Sequence, residues 1–212
     1  MRLSRLGWLP IMPLLFAAAV YAQDQPASLA IGAAAPMKDV KMKSVDGKDV
    51  TLATVAGKKG TLVVFTCNHC PWAQAWQTRV ASIGNGAAAK GIGVVAINPN
   101  DPAAYPEDDY AGMQARSKTL GLKFPYVVDA TSDMARAFGA TRTPEAFLFD
   151  SSGKLVYHGT VDDNARDQSA VKERWLQDAV DAVIAGKEVP TAETKAFGCG
   201  IKFREKSDKK ES

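Results

Sequence analysis

The stretch Thr61-Leu62-Val63-Val64-Phe65-Thr66-Cys67-Asn68-His69-Cys70-Pro71 decides the fold. Residues 61–66 form a short, β-branched run that reads as a strand buried on both faces. The run stops at Cys67. Pro71 stands where a helix should begin, at the first helical position, where its missing N–H costs nothing. Trp72, Trp76, Val80 and Ile83 then recur at spacings of four, four and three, one apolar helix face. Gly84 to Gly86 is expected to interrupt or end that helix. The reading therefore places two cysteines between a buried strand and a helix N-terminus.

Working outward, Val40, Met42 and Val45 lead into Asp46-Gly47, a hairpin-type turn, with Val50-Thr51-Leu52 beyond it. Residues 92–97 read as a second buried strand, closed by Asn98-Pro99-Asn100-Asp101-Pro102. Pro106 with Glu107, Asp108 and Asp109 marks a helix start, its acids placed favourably for the macrodipole. That helix runs to about Leu120-Gly121. A strand over 124–128, a short helix over 132–138 and two antiparallel strands around a turn at 151–154 follow. Val171, Trp175, Ala179 and Val183 form the last helix face, which Gly186 ends. Residues 187–212 read as polar and weakly structured. This order implies an α/β fold: a central mixed sheet with helices on both faces and an N-terminal β-hairpin extension.

The chain has 212 residues, 46% hydrophobic and 23% charged, with net charge +3 and three cysteines. These values exclude a disordered chain and a scaffold held mainly by disulfides. Arg2 and Arg5 precede an apolar stretch over 8–20, and Val20-Tyr21-Ala22 resembles a small-x-small cleavage site. The stretch contains Pro10 and Pro13 and falls short of the ~20 residues of a membrane span. Residues 1–22 are expected to be a signal peptide cleaved after Ala22, with the folded domain over 23–186 and a polar tail over 187–212. Cleavage would remove Arg2 and Arg5, and with them any electrostatic case for nucleic acid. The mature protein is expected to be periplasmic or secreted, without stable membrane insertion, where disulfide chemistry is available.

Two cysteines three apart at a helix N-terminus suit disulfide exchange. The thiolate is the nucleophile, helix N–H groups stabilise it, and a second thiol can resolve the mixed disulfide. Cys67, at the edge, is expected to attack and Cys70 to resolve. His69, when protonated, would lower the thiol pKa and make the couple more oxidising than thioredoxin's. Zinc sites share the spacing, but the remaining candidate ligands are only Cys199, His69 and His158. Pro71 stands where a c-type haem would need histidine. A structural disulfide would close so short a loop that it contributes little chain entropy.

Thr66-Cys67-Asn68-His69-Cys70-Pro71 on a Leu-Val-Val-Phe strand resembles the thioredoxin superfamily, in particular its exported redoxin (AhpC/TSA-like, TlpA-like) branch. Gly32 to Pro36, Asn98-Pro99-Asn100-Asp101 and Thr143-Pro144 before Ala146-Phe147-Leu148-Phe149-Asp150 support the likeness. The resemblance implies a thioredoxin-like fold and a cis Thr143–Pro144 bond opposite Cys67, on a loop that pairs with a substrate's extended backbone. Val64 stands where thioredoxins carry a buried Asp, leaving His69 or Glu145 as proton acceptor. Glu145 reads equally as a solvated strand-end residue. Val64 also stands where peroxidase members carry Thr, which disfavours a thiol-dependent peroxidase. Copper-carrying relatives use Cys-x-x-x-Cys and a His where this chain has Arg142-Thr143. His158 reads as a surface strand histidine away from the dithiol. Trp76 reads as core, and Trp72 as core or as part of a peptide-binding groove.

Cys199, in Gly198-Cys199-Gly200, is the leftover thiol. Residues 187–198 could span roughly 40 Å when extended, so reach does not exclude contact with the dithiol. It reads either as a partly buried cysteine fixing the tail or as a third redox thiol that relays electrons or caps the site. The expectation is an exported thiol–disulfide oxidoreductase that needs no bound cofactor or metal. Its partners would be protein dithiols or disulfides, or an upstream thiol reductant.

Overall fold

The computed structural model describes residues 27–205, so the expected leader lies outside the described residues. In chain order the elements are β1 (Met42–Ser44), β2 (Asp49–Val50), α1 (Leu52–Val55), β3 (Gly60–Phe65), α2 (Pro71–Ala89), β4 (Ile92–Asn98), α3 (Tyr110–Leu120), β5 (Tyr126–Val128), α4 (Asp133–Phe138), β6 (Arg142–Thr143), β7 (Glu145–Asp150), β8 (Leu155–Gly159), α5 (Trp175–Ile184) and β9 (Cys199–Gly200). Seven strands form one sheet in the order β2-β1-β5-β4-β3-β7-β8. β3, β4 and β5 run parallel, whereas β7 and β8 continue the sheet antiparallel. The β1–β2 hairpin extends the far edge through antiparallel pairing of β1 with β5. This is the mixed sheet that the order of elements implied, in the thioredoxin-like fold that the resemblance implied.

The β-branched run lies at the centre because it has no polar face to present to water. Side chains alternate across a strand, so Leu62 and Val64 enter one apolar cluster with Trp76 of α2, Met113 of α3 and Leu176 and Val180 of α5. Val63 and Phe65 enter the opposite cluster with Leu52 of α1 and Met134 and Phe138 of α4. Each fully buried side chain of this size contributes roughly 1.5–3 kcal/mol of transfer free energy.

Helix α2 begins at Pro71, as expected, but does not stop at Gly84–Gly86; it continues to Ala89. A glycine in a helix interior costs ~1 kcal/mol relative to alanine. Gly84 has a packing reason: a Cβ there would stand 2.4 Å from the Phe124 ring. Val171 also departs from expectation, since it precedes α5, which begins at Trp175. Thr51 and Thr54 form a reciprocal capping box for α1, a helix the apolar pattern did not reveal.

The tail after α5 corrects the sequence reading most. Its described residues are fixed on the body rather than weakly structured. β9 pairs antiparallel with β6, Ile201 is buried, and Arg136 lies over the Phe203 ring. Backbone bonds continue on both strands, from Ile201 N to Thr141 O at 3.0 Å and from Asp101 N to Lys202 O at 2.8 Å.

Candidate active site

The sheet register builds the site. β3 runs parallel to β4 and antiparallel to β7, and Phe65 at its C-terminal end lies opposite Glu145 at the start of β7. The residues just beyond Phe65 must therefore meet those just before Glu145. That meeting brings Cys67 and Cys70 against Thr143, which precedes Pro144 through a cis peptide bond. Cys67 Sγ is 3.1 Å from Thr143 Oγ1, and the Cys70 thiol lies 3.2 Å from Thr143 O. Cys70 is the N-cap of α2, and its sulfur accepts the Ala73 N–H at 3.5 Å. Cys67 is 5% exposed and Cys70 is fully buried, so the expected order of exposure is present but small.

The two thiols shift each other's ionisation in opposite directions. The Cys67 thiol donates to Cys70 and holds the Cys70 pKa down, aided by the Cys199 thiol and the Ala73 N–H. The same contact pushes Cys67 up, with burial and the Asp108 charge adding to it. A proton on Cys70 can bond Thr143 O, and one on Cys67 can bond Thr143 Oγ1, so both placements have an acceptor.

Asp108 is the residue that the sequence reading missed. It was legible only as one of three acids at a helix start, yet it is 2% exposed and organises the turn between the cysteines. Asn68 N donates to Oδ1 at 2.5 Å, Asn100 Nδ2 to Oδ2 at 3.0 Å and Asn98 Nδ2 to Oδ1 at 3.3 Å. The His69 ring Nδ1 lies 2.5 Å from Oδ2, and the ring stacks on Tyr105 with centroids 3.7 Å apart. Asn68 is held in turn, accepting from the Tyr126 hydroxyl at 3.1 Å and donating to Glu107 O at 2.7 Å. His69 thus meets the thiols paired with the Asp108 carboxylate rather than as an isolated cation. The Asp108 charge adds to the Cys70 hydrogen bond and burial in raising the Cys67 pKa.

Glu145 is buried, not solvated. Its Oε2 accepts Thr141 N and Arg142 N, each at 2.8 Å, and its Oε1 lies 2.7 Å from His158 Nε2. Among the described residues it makes no hydrogen bond to a cysteine, so it holds the loop before Pro144 and does not stand as the thiols' proton acceptor. His158 is likewise buried, not at the surface, with its ring stacked on Phe147. Trp76 is core, its Nε1 donating to Asp162 Oδ1 at 2.7 Å. Trp72 is half-buried against the cysteine cluster, with Phe197 of the tail edge-on at 4.7 Å and Arg166 over its ring. Both rings line an open groove of about 420 Å³ with Trp175 and Arg166.

The loop edge expected to pair with substrate is occupied, because Thr143 pairs with Cys199 of β9. The three potential ligand atoms of Cys67, His69 and Asp108 lie within 4.8 Å of one another, a mixed sulfur, nitrogen and oxygen donor set. His69 and Asp108 already satisfy each other there.

Replacing Asp108 by the isosteric amide removes one of the contributions that raise Cys67, beside the Cys70 hydrogen bond and burial. In Asp108→Asn the pH midpoint for alkylation of Cys67 is expected to move down by about one unit or more. A midpoint that stays in place or rises contradicts this account of the site.

Residues 31–174 match the Redoxin family model. A thiol-disulfide oxidoreductase named ResA, from Geobacillus thermodenitrificans (strain NG80-2), is 26% identical over 153 residues, covering 68% of this chain and 80% of that protein. A hypothetical protein from Sinorhizobium meliloti 1021 has a solved structure with 36% identity and a TM-score of 0.77, covering 84% of this chain and 97% of its own. An uncharacterized conserved protein from Geobacillus kaustophilus is similar at 34% identity and a TM-score of 0.78, covering 84% and 94%. With the match spanning two buried thiols at a strand–helix junction, the chain belongs to the Redoxin family and is a thioredoxin-like thiol–disulfide oxidoreductase.

Proposed function

We propose that this protein acts outside the cytoplasm and exchanges disulfides with a protein partner through Cys67 and Cys70. One observation carries the reading: both thiols sit in mutual contact at the N-terminus of α2, and Thr143 of the cis-Pro loop bonds each of them. That arrangement lets one sulfur attack while the other holds the proton.

The exchange starts when the Cys67 proton moves to Cys70, whose thiol then donates to Thr143 O. The Cys67 thiolate attacks one sulfur of a client disulfide; a Cys67–client disulfide forms and the other client sulfur leaves as a thiolate. Cys70 gives its proton to the departed client thiolate and attacks the Cys67 sulfur. The Cys67–Cys70 disulfide forms, the second client sulfur leaves, and the client has gained the two electrons the dithiol lost. The reverse sequence oxidises a client dithiol. The groove beside Trp72 is the surface a client polypeptide would use, since β9 covers the loop edge.

Cys70→Ser should accumulate a covalent mixed disulfide with a model substrate such as insulin, released by dithiothreitol, whereas Cys67→Ser should form none. Equal adducts in both variants would contradict Cys67 as the attacking thiol. The assignment to an exported protein rests on Arg2, Arg5 and the apolar stretch over 8–20. Among the described residues no helix is long and apolar enough to cross a membrane. N-terminal sequencing of the protein recovered from a bacterial host should read from Gln23 in the extracytoplasmic fraction; an intact Met1 in the cytoplasm would contradict export.

A further inference from the structure

Cys199 is placed by backbone pairing on both sides. Thr143 lies opposite Cys199 and Arg142 opposite Gly200. Gly198 passes so close to the loop that a Cβ there would stand 2.1 Å from Thr143 O, so only glycine permits the approach. Beyond β9, Lys202 N donates to Asn100 Oδ1 at 2.8 Å and Arg204 N to Ser132 Oγ at 2.9 Å. Before it, the Phe197 ring meets Trp72. The tail is thus anchored where it crosses the cysteine cluster, and Cys199 packs against Cys67, Cys70 and Ala73.

We propose that Cys199 is a third redox thiol, which takes over the disulfide from Cys67 by exchange at Cys70. The proposal rests on the reading of Cys67 and Cys70 as the exchanging couple. In the step, the Cys199 thiolate attacks the Cys70 sulfur of the Cys67–Cys70 disulfide. The Cys70–Cys199 bond forms, the Cys67–Cys70 bond breaks, and Cys67 leaves as a thiolate that takes up the proton Cys199 released to solvent. No electrons enter or leave, since one disulfide replaces another. The oxidised protein then keeps a free thiol at the client-facing position while its oxidising equivalent is stored behind it.

The electrostatics favour the step only after oxidation. In the reduced site burial, then the Cys70 hydrogen bond and charge, push the Cys199 thiol up to about 11. Once Cys70 is part of a disulfide it carries no charge, so both of its contributions vanish. Burial remains, opposed by the Trp72 N–H and the Lys202 charge. Cys199 therefore gains nucleophilicity when there is a disulfide for it to attack.

Tryptic mapping separates the two disulfides. Cys67 and Cys70 share the peptide 60–79, whereas Cys199 lies in the peptide 196–202. The full chain is oxidised in glutathione buffer, quenched with acid, alkylated and digested without reduction. The expected product is peptide 60–79 cross-linked to 196–202 through Cys70, with the alkyl label on Cys67. In Cys199→Ser the oxidised chain should lose that Cys67 label while the Cys67–Cys70 disulfide still forms. In Cys67→Ser the same cross-link should form directly. A Cys67–Cys70 disulfide without any cross-linked peptide overturns this proposal alone, as does a cross-link through Cys67. Failure of the Cys199→Ser chain to form the Cys67–Cys70 disulfide in any buffer overturns the functional reading beneath it.

Discussion

Thr143 meets all three cysteines, and the site depends on that convergence. Its hydroxyl lies against Cys67, its carbonyl against Cys70, and its backbone pairs with Cys199. The residue can be there because β3 and β7 are antiparallel neighbours with Phe65 opposite Glu145. A one-residue slip would turn every side chain of β7 to the wrong face of a sheet buried on both sides. Glu145 adds a local restraint by accepting two consecutive N–H groups of the loop, which keeps Thr143 facing the thiols. Core packing thus sets the geometry of the chemistry.

Asp108 supplies the second restraint. Burying a carboxylate is costly unless donors replace its water. Here donors come from Asn68, Asn98 and Asn100, with the His69 ring alongside, so one acceptor gathers the turn between the cysteines, the end of β4 and the segment before α3. The arrangement has an electrostatic consequence opposite in sign to that expected of a histidine between two cysteines. The buried charge opposes a thiolate at Cys67, while the α2 N-terminus and neighbouring thiols favour one at Cys70. The two sulfurs are thereby pushed toward opposite protonation states.

Much of this was legible locally. The β-branched run, Pro71 after Cys70 and the Asp46-Gly47 turn each specify an element through short-range chemistry, and the structure has all three. The motif's likeness to redoxins located the Thr143–Pro144 loop that no periodicity could indicate. What escaped depends on long-range contact. Asp108 lies 40 residues from Asn68 and reads as an ordinary helix-start acid until β4 carries the chain back past the motif. Glu145 and His158 pair across two neighbouring strands interrupted by an irregularity between Leu148 and Phe149, which no linear pattern conveys. β9 is two residues long in a polar segment, and its pairing is visible only once Thr143 is in place. Gly84 looked like a helix breaker because its justification is the Phe124 ring, forty residues on.

The most direct test of the paired-thiol site is a redox titration of the full chain in glutathione buffers, with free thiols counted by alkylation and mass spectrometry. The account predicts that two of the three thiols disappear together in one reversible two-electron transition, with the reduced-to-oxidised ratio changing tenfold per ~30 mV. One thiol should remain throughout. Stepwise loss of single thiols as separate glutathione adducts, with no intramolecular disulfide, would contradict it.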